Sequence, residues 1–273
     1  SMFVVNNICI DSGPLLALLE PLHASSIVLS VLLGSHPPQM SVGRILEFTS
    51  LFGLPDGTVR TALSRMVAAG DLVNDDGLYR LAGRLIERQA QQDAGRHGPP
   101  SEWDGTWWTV AVVTNRRTMA ERREFRSRAL GSRLGELRPD LWLRPANITI
   151  ATDLAESLIT RGPLVVGDEQ ALAARLWDLG DLQRRSDLHG RALDHAARRL
   201  DVGGDRSLAD AFVALAAAQQ FLRVEPQLPA ELAPGAAATA VRSRYSEVVG
   251  EFQAQLATFF GRSTPEQVST GAR

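Results

Sequence analysis

Four side chains on one short stretch have the types and spacing to grip an extended polyanion. In GTVRTALSRMVAAGDLV, residues 57–73, Arg60, Thr61, Ser64 and Arg65 recur at helical spacing, with Thr58 just before them. At about 100° per residue they share one side of a helix, opposite Val59, Ala62, Leu63 and Met66. Guanidinium can meet a guanine edge bidentately or a phosphate, and the hydroxyls suit phosphate or close-packed base contacts. The same division also describes an amphipathic helix whose polar side is bathed in water. The surrounding elements have to decide between the two.

Those elements come in a telling order. SSIVLSVLLGS (25–35) reads as an apolar helix closed by Gly34, and the loop HPPQM follows. Ser41 can cap a second helix, SVGRILEFTSLFG, with Val42, Ile45, Leu46 and Phe52 on one stripe. Gly53 ends it, and Asp56 is the expected N-cap of the helix that carries Arg60. After Gly70, Leu72/Val73 and Leu78/Tyr79/Leu81 flank Asn74-Asp75-Asp76-Gly77, and an Asp-Gly turn between apolar runs signals a hairpin. Helix, helix, turn, helix, hairpin is the order of a winged helix-turn-helix. Within it the polar face of the third helix is placed to enter the ~12 Å major groove. Arg44 on the second helix and Arg80 at the base of the wing are candidate phosphate contacts.

A fourth helix, AGRLIERQAQQDA, leads to the breaker-rich RHGPPSEWDG (96–105), where the first boundary is placed. WWTVAVVT (107–114) reads as strand, 118–137 as an arginine-rich helix and 137–150 as strand material. A helix around 152–160 and an apolar strand LVVGD (164–168) complete a small ferredoxin-like α+β unit. Helices are expected at EQALAARLWDLGDL, SDLHGRALDHAARRL, SLADAFVALAAAQQFLR and VRSRYSEVVGEFQAQLATFF. The fold class is therefore α+β, helix-rich and multidomain. Residues 24–95 form the winged helix-turn-helix, 103–170 the ferredoxin-like domain and 171–262 a helical domain.

Composition narrows the function classes. The chain has 273 residues and a net charge of -2, and all 29 basic side chains counted as Lys+Arg are arginine. Any anion it clamps must be met by guanidinium, backbone N–H or hydroxyl. Residues 115–144 hold 9 Arg against 4 acidic residues, whereas 1–100 hold 7 against 9, so basic surface is local and a globally basic nucleic-acid binder is excluded. Cys9, the single cysteine, leaves no internal disulfide and no CxxC metal site. A reducing cytoplasm is the expected compartment. No apolar run reaches the ~20 residues of a membrane span, and the start lacks a basic region ahead of its apolar residues, so no secretory signal is expected.

Other candidate chemistry is thinner. Arg116, Arg117, Arg122, Arg123, Arg126, Arg128 and Arg133 crowd one segment and read best as a solvated face with Glu121 and Glu124 as partners. Trp103, Trp107 and Trp108 read as packing residues. His189 and His195 are six apart, on opposite sides of a helix and unlike HExxH, and are expected at the surface or between domains. Some ferredoxin-like domains are metal-dependent nucleases with an aspartate at the end of the first strand, but that strand here ends Val113-Thr114-Asn115. No metal site, cofactor or enzymatic activity is expected.

Four blocks carry a family resemblance. TVRTALSRMVAAGDL (58–72), WDGTW (103–107), LWLRPANI (141–148) and FLR…P…LPAEL (221–232) resemble, in order, landmarks of the PaaX family. These are bacterial repressors of phenylacetate-degradation genes and their paralogues, and the likeness runs from residue 24 to about 260. The resemblance implies a homodimer that binds double-stranded operator DNA and releases it on binding an aryl-CoA or acyl-CoA thioester. A site for such an effector needs guanidinium for the phosphates and an apolar wall, which Trp177, Arg184, Arg185 and Arg191 can supply. Two departures stand out: the wing tip Asn74-Asp75-Asp76 is acidic, and the Ala-rich APGAAATAV follows LPAEL where many members show a tryptophan- and proline-containing turn. The chain is thus expected to be a transcriptional regulator, a repressor with a small-molecule switch. The alternatives are a nuclease built on the middle domain, or a winged helix that has exchanged DNA for a protein partner.

Overall fold

The structure is a computed structural model that describes residues 23–100, 102–114, 117–151, 154, 156–235 and 238–262. Cys9, Asn115 and Arg116 lie outside the described residues. The α+β class holds, with helices accompanied by two small antiparallel sheets. The chain divides into two compact units, one of residues 1–91, 191–218 and 244–273, the other of 92–190 and 219–243.

The first unit begins with α1 (Ala24–Gly34), β1 (Gln39–Ser41), α2 (Val42–Ser50) and α3 (Asp56–Ala68). Ile27, Val28, Val31 and Leu32 of α1 and Ile45 and Phe48 of α2 form its core with Val59, Leu63 and Met66 of α3. Ser41 caps α2 as expected, its Oγ accepting from the Arg44 N–H at 3.5 Å. Asp56 does not cap α3; Pro55 holds that place and Asp56 is the first helical residue. There its carboxylate still favours the positive end of the helix dipole. Two strands follow, β2 (Leu72–Asp75) and β3 (Leu78–Leu81), and the sheet order is β1-β3-β2. Asp75 pairs with Leu78, so Asp76 and Gly77 make a two-residue turn, both at positive φ (49° and 84°). A type I′ turn requires that, and an Asp-Gly pair supplies it. HPPQM is not wholly loop: Gln39, Met40 and Ser41 pair with Arg80, Tyr79 and Leu78.

The helix α4 (Arg84–His97) opens in this unit and ends in the second. The second unit continues with β4 (Thr106–Val112), α5 (Met119–Gly131), β5 (Gly135–Arg138), β6 (Leu141–Pro145), β7 (Ser157–Pro163) and α6 (Glu169–Leu176). Its sheet has the order β5-β6-β4-β7, antiparallel throughout. Alternation along the strands sends Val110 and Trp142 to one face, beneath Phe125 and Ala129 of α5. Trp107 and Leu143 go to the other face, against Leu172 and Ala173 of α6. The chain ends with α7 (Leu179–Val202), α8 (Asp205–Val224) and α9 (Thr239–Arg262), and unit boundaries fall within each of these three.

Several expected elements differ. The helix expected over 118–137 stops at Gly131: Arg133 sits at φ 57°, and 135–138 is strand. Gly135 is fixed by packing, because a Cβ there would lie 2.7 Å from Leu176 Cβ and 3.1 Å from the Trp177 ring. In place of a helix around 152–160, residues 157–160 belong to edge strand β7, which ends at Pro163 where a missing N–H does no harm. LVVGD is not a strand; Val165 is fully exposed, and Asp168 caps α6 by accepting from the Ala171 N–H at 3.0 Å. EQALAARLWDLGDL is broken at Trp177, which is extended, and the residues after it begin the continuous α7.

Candidate nucleic-acid interface

Thr58, Arg60, Thr61, Ser64 and Arg65 are all exposed, while Val59, Ala62, Leu63 and Met66 are buried. The helical period alone produces this split. Two hydroxyls bond back along the helix: Thr61 Oγ1 donates to Gly57 O at 2.8 Å and Ser64 Oγ to Arg60 O at 3.0 Å. Among the described residues no acidic side chain pairs with Arg60 or Arg65. A guanidinium carries donors only, so both side chains offer them to an acceptor outside α3.

The two outlying candidates are engaged. Arg44 is exposed, and its guanidinium carbon lies 5.4 Å from the Phe260 ring centroid of α9. Arg80 Nη2 lies 3.1 Å from Asp75 Oδ2 on the neighbouring strand, both side chains well exposed. Arg84, which the sequence did not single out, pairs with Asp71 at 3.2 Å. Aromatic packing holds α2 and the turn after it against α8: the Phe48 ring is edge-on to Phe212 of α8 at 4.9 Å, and Phe52 meets the same ring at 5.5 Å.

In the second unit two arginines of the rich segment pair with carboxylates outside the expected Glu121 and Glu124, while Arg117 also acts on Glu121. Arg117 pairs with Asp140 and Arg126 with Glu136, and they lie over the Phe125 and Trp142 rings respectively. Glu121 is used in a capping box with Thr118, whose N–H and hydroxyl hold its carboxyl below the usual range. Trp103 and Trp107 pack edge-on at 5.9 Å, and Trp107 is fully buried. The WDGTW block is a turn: Asp104 Oδ1 accepts from the Thr106 N–H at 3.0 Å around Gly105 at φ 81°.

A buried polar cluster escaped sequence reading. Arg144 is completely buried on β6; it donates to Pro145 O at 2.9 Å, to Ser132 O and Arg133 O at 3.4 Å, and to Asn147 Oδ1 at 2.9 Å. Asn147 in turn donates to Gln227 O at 2.8 Å, and the Gln227 N–H to Glu225 Oε2 at 2.8 Å. Arg242 pairs with Glu225, and Arg133 donates to Arg223 O at 2.9 Å. The LWLRPANI and FLR…P…LPAEL blocks thus meet in one hydrogen-bonded strut. Burial first, then Arg133, pulls the Arg144 guanidinium down to about 9, and burial raises Glu225 against the pull of Arg242. The readable signal was a lone arginine between Leu143 and Pro145 in an apolar run.

The effector candidates are distributed. Trp177 packs with Leu228, Ala233, Leu179 and Leu182. Arg184 and Arg185 share Asp181, at 3.2 and 4.0 Å, and Arg185 also lies 5.1 Å from the Phe221 ring centroid. Arg191 is exposed and belongs to the first unit. His189 is not a surface histidine: it is buried, stacked on Phe221 at 4.9 Å, and burial followed by Arg185 lowers it to about 4. Among the described residues, no three His, Cys, Asp or Glu side chains group to hold a metal. No described helix is long and apolar enough to cross a membrane.

The PaaX family profile, described as PaaX-like protein, matches residues 23–85, the segment holding α1 through β3. The chain belongs to the PaaX-like family. This PaaX-like chain is also similar to the solved structure of the uncharacterized protein Rv0674 from Mycobacterium tuberculosis, with 31% identity and a TM-score of 0.70. That similarity covers 88% of the PaaX-like chain and 100% of the other. A search of the curated proteins finds no match.

Proposed function

We propose that this PaaX-like chain is a DNA-binding transcriptional regulator, a repressor that reads operator DNA with α3. One observation carries the reading: Arg60 and Arg65 stand exposed, with no acidic partner among the described residues, beside two hydroxyls on a helix whose opposite face is buried. The order α1-α2-α3 followed by a type I′ hairpin suits a winged helix-turn-helix over 24–95. The strand order β5-β6-β4-β7 suits a ferredoxin-like domain over 103–170, followed by the helical domain. The family is generally one of transcriptional regulators of phenylacetic acid catabolism. With few cations on the reading face, one protomer holds DNA weakly, and a homodimer on two half-sites supplies the affinity.

An aryl-CoA or acyl-CoA thioester is the proposed releasing effector, with Arg184 and Arg185, both in the second unit, as candidate phosphate partners. The test is a mobility shift on the gene's own upstream region, repeated with a panel of CoA esters. Specific retention that one ester reverses supports the regulator. Retention that no ester reverses, with no heat in calorimetry, removes the effector but not the DNA binding. One observation favours a second reading: the acidic hairpin tip occupies Arg80 internally, which suits a basic protein partner better than phosphate. Absence of a shift with any DNA supports that alternative.

A further inference from the structure

The hydroxyls on the α3 face have a definite polarity. Thr61 Oγ1 lies 2.8 Å from Gly57 O and Ser64 Oγ 3.0 Å from Arg60 O, each one turn back along the helix. A carbonyl oxygen only accepts, so both hydroxyl hydrogens are committed to the helix. What these oxygens turn outward is lone pairs. Arg60 and Arg65, beside them, have donors and no acceptors. Thr58 aside, the exposed polar residues of this face are thus two donor and two acceptor side chains.

We infer that Thr61 and Ser64 read the amino groups of bases, adenine N6 or cytosine N4, rather than phosphates. This inference rests on the DNA-binding function proposed above. Phosphate oxygens, guanine O6 and guanine N7 are all acceptors, and a lone pair facing them gains nothing. Those targets suit Arg60 and Arg65. The amino groups of adenine and cytosine are the major-groove donors, so they match the outward lone pairs without breaking a helix hydrogen bond. Residues three apart are about 4.5 Å along a helix axis, against ~3.4 Å per base step, so the two hydroxyls address neighbouring base pairs. In a G·C pair guanine accepts while cytosine donates, so one arginine and one hydroxyl can read both bases of one pair.

The experiment begins with selection of duplex sites from a randomised library by the full chain. The best site is then remade with purine for adenine, or 2-pyrimidinone for cytosine, one position at a time, which deletes single amino groups. Equilibrium binding is measured for the natural chain, Thr61→Val, Ser64→Ala and Thr61→Ser. The expected result is one amino deletion per hydroxyl that costs the natural chain about tenfold. Thr61→Val carries that loss already and ignores its analogue, whereas Thr61→Ser, which keeps the acceptor, behaves like the natural chain. Salt slopes stay unchanged. A uniform loss on all sequences with a shallower salt slope marks a phosphate contact and overturns the inference. Analogue effects that are the same in every variant overturn it too. If the chain selects no sequence at all, DNA binding falls, and this inference with it.

Discussion

Arg80 and Asp75 hold each other at 3.1 Å across the β2–β3 hairpin, so the hairpin's own cation already has a counter-charge. The tip beyond them, Asp76, presents a further exposed carboxylate where a phosphate would have to approach. In the proposed function, reading of DNA therefore falls to α3.

Asp75→Asn should free Arg80 and lower the negative charge of the tip. The exposed pair is worth under ~1 kcal/mol, so stability should barely move. Affinity for duplex DNA should rise a few-fold, and the plot of log K against log salt should steepen by about one phosphate contact. Salt titration of binding checks this; an unchanged slope would place the wing away from the backbone.

His189 predicts a pH signature of stability. Its folded value is lowered to about 4 from the ordinary 6.5, so above 6.5 it is neutral whether folded or unfolded and contributes nothing. As pH falls from 6.5 toward 4 the unfolded chain takes up a proton that the folded chain refuses. Stability is lost across that window, by up to roughly 3 kcal/mol, and the loss levels off below 4. Denaturant unfolding at pH 7 and pH 4.5 should show the drop, and His189→Leu should remove its share.

Arg144→Met tests the buried strut. It removes the Arg144 donor from the buried Asn147 Oδ1 and from the part-buried carbonyls of Ser132 and Arg133. A loss of about 3–5 kcal/mol is expected in thermal or denaturant unfolding. A neutral or stabilising result would mean that the desolvation of the guanidinium outweighs its hydrogen bonds.

The sequence was most legible where periodicity and punctuation agree. The faces of α3 follow from spacing alone, and the Asp76-Gly77 turn from residue type. It was least legible where partners far along the chain decide. β1 is three residues long and exists because β3 lies beside it, and β7 is an edge strand that pairs along β4 from Thr106 to Val112. Val165 and Val166 misled by being apolar yet exposed, since nothing packs over them in strand geometry. Of the proposed interface, the exposure of the five α3 residues was readable, whereas the contacts that occupy Arg44 and Arg80 were not. The Arg144 cluster has no local signature, because Asn147 meets Gln227 eighty residues on.

The central claim is that the exposed arginines of α3 carry specific DNA recognition. Equilibrium binding of the full chain to its best selected duplex, compared with Arg60→Ala and Arg65→Ala at matched salt, tests it most directly. Each substitution should weaken specific binding by about tenfold or more while leaving the unfolding midpoint in place, because both side chains are exposed. Full specific retention in both variants, or none by the natural chain on any duplex, would contradict it.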